Sequence, residues 1–181
     1  MQAMIAVLLS AGLAVMLGLS SPNLYAHVGE PILPVRNASW SGGDVNLLAS
    51  IVGQWQSDTT AGFSARSTCT WTPHHGGVVC EQLIVTPNGP RTAVSIFVPD
   101  SSADQFVLYV LTRGGESLAP VALNIRGNTW TYGGGVASSD GQFYRTVNDF
   151  SRTDVYAWRQ ESSKNGTQWT EGLHGLSRRI R

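Results

Sequence analysis

The residues best suited to holding a small molecule are aromatic side chains interleaved with polar ones, most of them in the second half of the chain. Between positions 141 and 163 the two kinds are mixed, and successive side chains of a strand point to opposite faces. A lining of aromatic rings with a few polar anchors suits a small apolar or aromatic ligand. The candidate ligand-binding residues are Trp55, Tyr144, Arg145, Tyr156, Trp158 and Trp169.

Strand alternation prevents all six candidates from facing the same side. Tyr156, Trp158 and Gln160 share one face of their predicted strand, and a register slip of one residue reverses that assignment. Arg145 and Asp149 share a face of the preceding strand. They either form an ion pair that stabilises the wall or anchor the polar head of a ligand.

The two cysteines form a second constellation. Cys69 and Cys80 flank a segment whose centre is His74–His75. If these histidines are the tip of a hairpin, Trp71 faces Val78 and the two cysteines face each other, close enough for a disulfide. The alternative is a pair of unrelated buried thiols. We predict the disulfide, provided that the chain reaches an oxidising compartment.

The N-terminus resembles an export signal. Met4–Leu19 is an uncharged apolar run, followed by a polar turn and then a small residue, Ala26. This order predicts a secretory signal peptide cleaved after Ala26. The alternative is a membrane anchor, but a span needs about 20 apolar residues and this run is shorter. We therefore predict a periplasmic or extracellular protein with no membrane span after cleavage.

Composition limits the classes of function. The chain has 181 residues, 12 basic and 12 acidic, so its formal net charge is zero. A protein that binds nucleic acid by neutralising phosphates would carry a basic excess, and no nucleic-acid partner is predicted. Hydrophobic residues make up 42%, which is enough to build the core of one folded domain.

The elements that must position these residues are strands. Asp44 can cap a short helical turn, and ten strand-like segments follow, bounded by Gly, Pro, Asn, Asp and Ser. Many short antiparallel strands joined by tight turns favour a closed up-and-down β-barrel of about 8–10 strands, because closure removes exposed edges. A β-sandwich is the alternative. The predicted strands are 51–57, 62–72, 77–86, 91–98, 105–112, 117–125, 128–133, 141–150, 153–163 and 168–178.

The predicted organisation has three parts. Residues 1–26 are the signal peptide, residues 27–46 an extended lead-in or tail, and residues 47–181 the barrel domain.

Two motifs carry a resemblance to a known family. Gly53-Gln54-Trp55 resembles the Gly-x-Trp start of lipocalin-like (calycin) barrels, in which the Trp plugs one end. The segment from Trp158 to Trp169, with Asn165-Gly166 at its turn, resembles a hairpin of small exported bacterial calycins of unknown function. The similarity covers about residues 47–178 and also includes Arg145, Asn148, Phe150 and Tyr156. It implies the barrel, and little about the chemistry.

A haem-binding alternative depends on one residue. Nitrobindin-like barrels are similar in size and hold haem through a late His, which His174 would match here. The first prediction, a carrier of an apolar or aromatic molecule, needs no cofactor. Two further alternatives are a non-catalytic interaction protein with a filled barrel and an enzyme on the same scaffold. The sequence contains no Gly-x-Ser-x-Gly, phosphate-loop or His-Glu-x-x-His motif, so an enzyme is the less favoured class.

Overall fold

The computed structural model describes most of the chain from Asp44 onwards. The described residues are 6–7, 15–16, 44–59, 62–100, 102–103, 105–112, 120–138 and 140–180. Near the N-terminus, β1 (Ala6–Val7) and β2 (Val15–Met16) pair antiparallel. The rest of the predicted signal peptide, its cleavage point and most of the lead-in lie outside the described residues. The predicted domain boundaries at 26 and 46 stay predictions.

The fold is a closed barrel of ten antiparallel strands, as predicted, and the sandwich alternative is excluded. Each strand pairs with the next along the chain, and β12 pairs with β3 to close the barrel. The strands are β3 (Gly53–Thr59), β4 (Ser64–Trp71), β5 (Val78–Thr86), β6 (Gly89–Asp100), β7 (Gln105–Thr112), β8 (Val121–Arg126), β9 (Thr129–Ala137), β10 (Phe143–Asp149), β11 (Val155–Ser163) and β12 (Thr170–Arg179).

Two short 3-10 helices complete the described elements, Val45–Ile51 and Pro73–His75. None of the described helices is long or apolar enough to cross a membrane.

The helix Val45–Ile51 closes the end of the barrel at which β3 begins. Asp44 caps it, as predicted, because its carboxylate accepts the backbone N–H of Asn46 at 2.9 Å. Leu48 and Ile51 are fully buried in the core. The Trp55 indole N–H donates to the carbonyl of Ile51 at 2.7 Å, so helix and barrel are joined by a buried hydrogen bond. We call this the closed end.

Aromatic rings fill the barrel above the closed end. Tyr156 packs edge-on against Trp55 with ring centroids 5.0 Å apart, and against Phe150 at 4.5 Å. Phe150 in turn contacts Trp130 at 4.8 Å. Each of these rings is buried, so the interior near the closed end is packed like an ordinary protein core.

The predicted disulfide is confirmed. Cys69 and Cys80 are directly opposite each other on β4 and β5, their side chains are buried and the S–S distance is 2.04 Å. Trp71 faces Val78, and the exposed pair His74–His75 forms the hairpin tip, as predicted. Both histidines have positive φ, 63° and 54°, as a tight turn requires. Closing so short a loop stabilises the fold by about 3 kcal/mol in the chain-entropy model.

The connection between β11 and β12 is longer than the two-residue turn that Asn165-Gly166 suggests. The strands end at Ser163 and restart at Thr170. The Asn165 side-chain oxygen accepts the backbone N–H groups of Thr167 and Gln168 at 3.0 and 2.9 Å. Because this side chain provides hydrogen-bond partners for the backbone N–H groups of the loop, the strands need not be joined by a tight two-residue turn.

Candidate functional site

A layer of uncharged polar side chains lies in the lumen beyond the aromatic core. Glu161 is the one carboxylate among the buried residues that the structure describes, and the register places it on the outer wall. The buried polar residues of the lumen are therefore neutral. They are Ser57, Ser67, Gln82, Ser95, Thr146, Asn148 and Ser177.

Four of the lumen-facing residues form a compact group on β10 and β11. Asn148 is directly opposite Trp158, and Thr146 is directly opposite Gln160. Each has a buried polar atom without a hydrogen-bond partner: Asn148 Oδ1, Trp158 Nε1, Thr146 Oγ1 and Gln160 Nε2. We call these four residues the polar block. Opposed residues of adjacent strands lie about 5 Å apart and alternate residues of one strand about 7 Å apart, so the block is the size of one small polar group.

The polar block offers a ligand both hydrogen-bond donors and hydrogen-bond acceptors. The Trp158 indole and the Gln160 amide nitrogen donate, the Asn148 amide oxygen accepts, and the Thr146 hydroxyl does either. Asn148 is oriented by its own amide nitrogen, which donates to the Tyr132 hydroxyl at 3.3 Å. The free oxygen of Asn148 is therefore held in a fixed position.

The two tyrosines beside the polar block remain neutral. Burial raises the pKa of Tyr132 well above its usual value, and the neighbouring Tyr156 adds to that rise. Burial also raises the pKa of Tyr156, and the nearby Ser177 and Ser57 hydroxyls lower it in part, so that it lies at about 12. The buried polar side chains that the structure describes in the lumen, these tyrosines included, are thus uncharged at physiological pH.

Trp158 fits into the wall because the residue beside it has no side chain. Its ring lies against Gly175 on β12, where a Cβ atom would come within 2.7 Å of the ring. The predicted shared face of Tyr156, Trp158 and Gln160 agrees with the register of β10 and β11. Thr146 and Asn148 were not among the predicted site residues, although alternation along 141–150 places them on one face with Tyr144.

Two of the six predicted ligand-binding residues lie on the outer wall. Arg145 is opposite Glu161, and its Nε donates to that carboxylate. The Arg145 guanidinium also stacks on the Trp169 ring, 4.0 Å from its centroid. Arg145 thus pairs with Glu161 and not with Asp149, its partner in one of the two alternatives. Residues four apart on a strand are about 13 Å apart, whereas directly opposed residues lie about 5 Å apart. Asp149 instead accepts the backbone N–H of Ser151 at 2.9 Å.

The other four predicted ligand-binding residues lie at different depths. Trp55 and Tyr156 belong to the packed core of the closed end, and Trp158 to the polar block. Tyr144 is half-buried at the opposite end of the barrel, where its hydroxyl donates to Asp140 at 2.8 Å. Contact of these four side chains with a ligand stays a prediction.

His174 lies on the outer wall, opposite Arg159 of β11. Its Nδ1 is 3.1 Å from a carboxylate oxygen of Glu171, and 52% of its side chain is exposed. It borders an open cleft of about 530 Å³, which Trp158 and Gly175 also line. This position does not favour axial ligation of a haem inside the barrel. Within the described part of the chain, no three His, Cys, Asp or Glu side chains converge as a metal site requires.

The ion pairs of Glu161 make its contribution to stability depend on pH. Burial raises the pKa of Glu161, but hydrogen bonds from Arg159 and Arg145 outweigh that effect and hold the pKa below 4.5. Because the folded pKa is the lower one, the carboxylate stabilises the fold above pH 4.5, and this is lost as the pH falls through the folded pKa. We expect Glu161→Gln to cost about 1 kcal/mol at neutral pH and nothing in acid.

Urea unfolding between neutral and acidic pH measures this effect. Asp154→Asn is the matched control, because Asp154 forms an ion pair with Arg152 in which both side chains are exposed. If the free energies of unfolding of the wild type and of Glu161→Gln changed with pH in parallel, the stabilising role assigned to the Glu161 carboxylate would be contradicted.

No family model matches the chain, and no curated protein matches it in sequence. A solved structure of a de novo designed, fluorescence-activating β-barrel is similar, with 13% identity and a TM-score of 0.37. The match covers 75% of this chain and 98% of the designed chain. Function must therefore be inferred from the side chains of the barrel itself.

Proposed function

We propose that the barrel binds a small uncharged molecule in the lumen, with a polar edge against the polar block and an aromatic or apolar body beyond it. One observation carries this proposal: four buried polar atoms without partners lie together on two adjacent cross-strand pairs. An unmade hydrogen bond in a protein interior costs about 1–3 kcal/mol, so such groups are rare unless something else satisfies them. A ligand that bonds to several of them recovers that free energy.

The polar block selects the chemical class of the ligand. It presents two donors and an acceptor but no charge, and the tyrosines around it are neutral. A carboxylate or an ammonium group would lose its hydration without gaining a counter-charge. An amide, a lactam or a hydroxylated ring has the complementary donor and acceptor. The Trp158 ring supplies a surface for stacking.

We further propose that the protein works outside the cytoplasm, as an exported carrier of the calycin type. The uncharged apolar run Met4–Leu19 and the disulfide Cys69–Cys80 support export. The Gly53–Trp55 start and the hairpin ending at Trp169 support the calycin type.

Native mass spectrometry tests whether a ligand is present. We expect the protein isolated under non-reducing conditions from the export compartment of its own host to carry an extra mass that leaves on denaturation. A benzamide titration, compared with benzoate and benzylamine, then tests the class. Benzamide is uncharged and close in shape to both, so it is expected to bind at least 10-fold more tightly (about 1.4 kcal/mol).

Thr146→Val identifies the site, because it replaces an unpartnered hydroxyl by a methyl of the same size. We expect it to weaken benzamide binding about 5-fold and to raise stability by about 1 kcal/mol. Thr70→Val, at an exposed position of β4, is the matched control and should change neither. A loss of stability in Thr146→Val would mean that ordered water satisfies the hydroxyl. That result, together with a native mass that shows no bound ligand and with no binding of benzamide, would contradict the proposal and favour a filled barrel.

A further inference from the structure

An open cleft of about 530 Å³ reaches the wall of the barrel beside the polar block. Its lining comes from the end of β3, from β11 and from β12, and includes Thr59, Glu171 and His174. Trp158 and Gly175 also line it. Because Trp158 belongs to the polar block, one side chain borders both the cleft and the site proposed for the ligand. We call this cleft the side cleft.

β12 extends past the strand that closes the barrel. It begins at Thr170, but its pairing with β3 covers only Gly175–Arg179. β3 ends at Thr59, where the chain turns back, and the Thr59 N–H donates to the carbonyl of Phe63 at 3.0 Å. The first five residues of β12, about 16 Å of strand, are therefore not held by the ladder with β3.

The other edge of the same stretch is paired irregularly. The register between β12 and β11 shifts between Arg159 and Glu161 of β11, and a bulge of this kind interrupts the ladder of hydrogen bonds. Gly172 of β12 lies opposite this shift, and glycine packs no side chain against its neighbours. This stretch of β12 is thus held less firmly than the part that pairs with β3, so local opening costs less free energy there.

The Trp158 ring covers the inner side of the side cleft. It lies over Gly175, with two ring atoms 2.7 and 2.9 Å from the position that a Cβ would occupy. Trp158 is 3% exposed, and its buried Nε1 has no hydrogen-bond partner. Since Gly175 contributes no side chain to the wall, displacement of the indole from Gly175 would connect the cleft with the polar block.

Opening at this point buries no charge. The charged side chains at the mouth of the side cleft, Arg159, Glu171 and His174, are about half exposed. They form ion pairs at the surface, Arg159 with Glu161 and His174 with Glu171, and these pairs stay hydrated whether the indole is displaced or not. An uncharged molecule loses no ionic hydration on passing them.

We propose that the side cleft is the entrance through which a ligand reaches the polar block, and that the Trp158 ring is its gate. The role as a ligand entrance rests on the function proposed above. The closed end offers no comparable route, because the helix Val45–Ile51 covers it and the buried rings of Trp55 and Tyr156 fill it. Trp158 thus has two roles: its ring covers the entrance, and its indole N–H donates to the ligand.

A side chain that fills the side cleft from outside tests the proposal. Ala157 is exposed and lines the cleft, so Ala157→Phe places a ring there and leaves the lumen unchanged. Because an entrance is crossed in both directions, we expect the association and dissociation rate constants of benzamide to fall together, each at least about 5-fold, with Kd unchanged. A residue that only contacts the bound ligand would change Kd instead. Stopped-flow tryptophan fluorescence measures both rate constants.

Ala122→Phe is the matched control. Ala122 is an exposed alanine on β8, a strand that does not line the side cleft, and its replacement should change neither rate constant. If benzamide entered and left Ala157→Phe as fast as it does the wild type, the side cleft would not be the entrance. That result would overturn this proposal and leave the proposed function intact.

A measurement without ligand separates the failure of this proposal from the failure of the proposed function. The buried indole N–H of Trp158 exchanges with deuterated solvent only when the ring is uncovered, and its NMR signal is the one that Trp158→Phe lacks. We expect this exchange to be at least about 5-fold slower in Ala157→Phe than in the wild type or in Ala122→Phe. Slower exchange without any binding of benzamide would contradict the proposed function but support the opening at Trp158. Unchanged exchange in Ala157→Phe would overturn the gate, whatever the result with benzamide.

Discussion

Gly175→Ala is expected to destabilise the barrel by about 3 kcal/mol, the upper range for overpacking a core. A Cβ atom at this position would overlap the backbone carbonyl oxygen of Asp58 and come within 2.7 Å of the Trp158 ring. The Asp58 carbonyl belongs to β3, whose pairing with β12 closes the barrel. The added methyl must therefore displace either the strand that closes the barrel or the indole of the polar block.

Gly135→Ala is the matched control. Gly135 lies on β9, is exposed and has no atom within 4 Å of the position that a Cβ would occupy. Alanine is better than glycine within a strand, so this change should be neutral or stabilising by up to about 0.5 kcal/mol. Chemical unfolding followed by tryptophan fluorescence compares the two. Equal stabilities would mean that Trp158 does not pack against Gly175, and the polar block would lose one of its donors.

The strand segments could be predicted from the sequence because the turn residues between them are local signals. The ten predicted segments match the ten barrel strands, with ends that differ by a few residues. The pairing of Cys69 with Cys80 could also be predicted, since the tip of a short hairpin fixes its register. Closure by β12 against β3 follows from the number of strands and the cost of leaving edges unpaired.

The direction of the side chains could not be predicted, because it depends on register over the whole barrel. Arg145 and Glu161 are 16 residues apart, and no local pattern predicts that they lie opposite each other. A bulge between Arg159 and Glu161 in the β11–β12 pairing shifts the register again. The polar block was missed for a related reason. A Thr and an Asn within a predicted strand give no local sign of a site, and Thr146 and Asn148 are notable here because their polar atoms are buried without partners.

Trp55→Ala is expected to cost about 4 kcal/mol, because it removes a large, fully buried side chain from the closed end. The loss has three components. The ring contact with Tyr156 at 5.0 Å disappears, and the carbonyl of Ile51 loses its buried hydrogen bond. The Arg179 guanidinium, 4.3 Å above the indole, loses the ring on which it stacks. The measurement is the free energy of unfolding in guanidinium chloride.

Trp169→Ala is the control, since that ring lies on the outer wall over Arg145 and should cost about 1 kcal/mol. Trp55→Phe distinguishes a structural role of Trp55 from a role in ligand binding. It keeps a ring in the core but leaves the Ile51 carbonyl unsatisfied, so stability should fall by about 2 kcal/mol. Benzamide affinity should not change if the ligand lies at the polar block. A loss of affinity as large as that in Thr146→Val would instead mean that the ligand reaches the closed end, and that Trp55 lines the site as well as plugging the barrel.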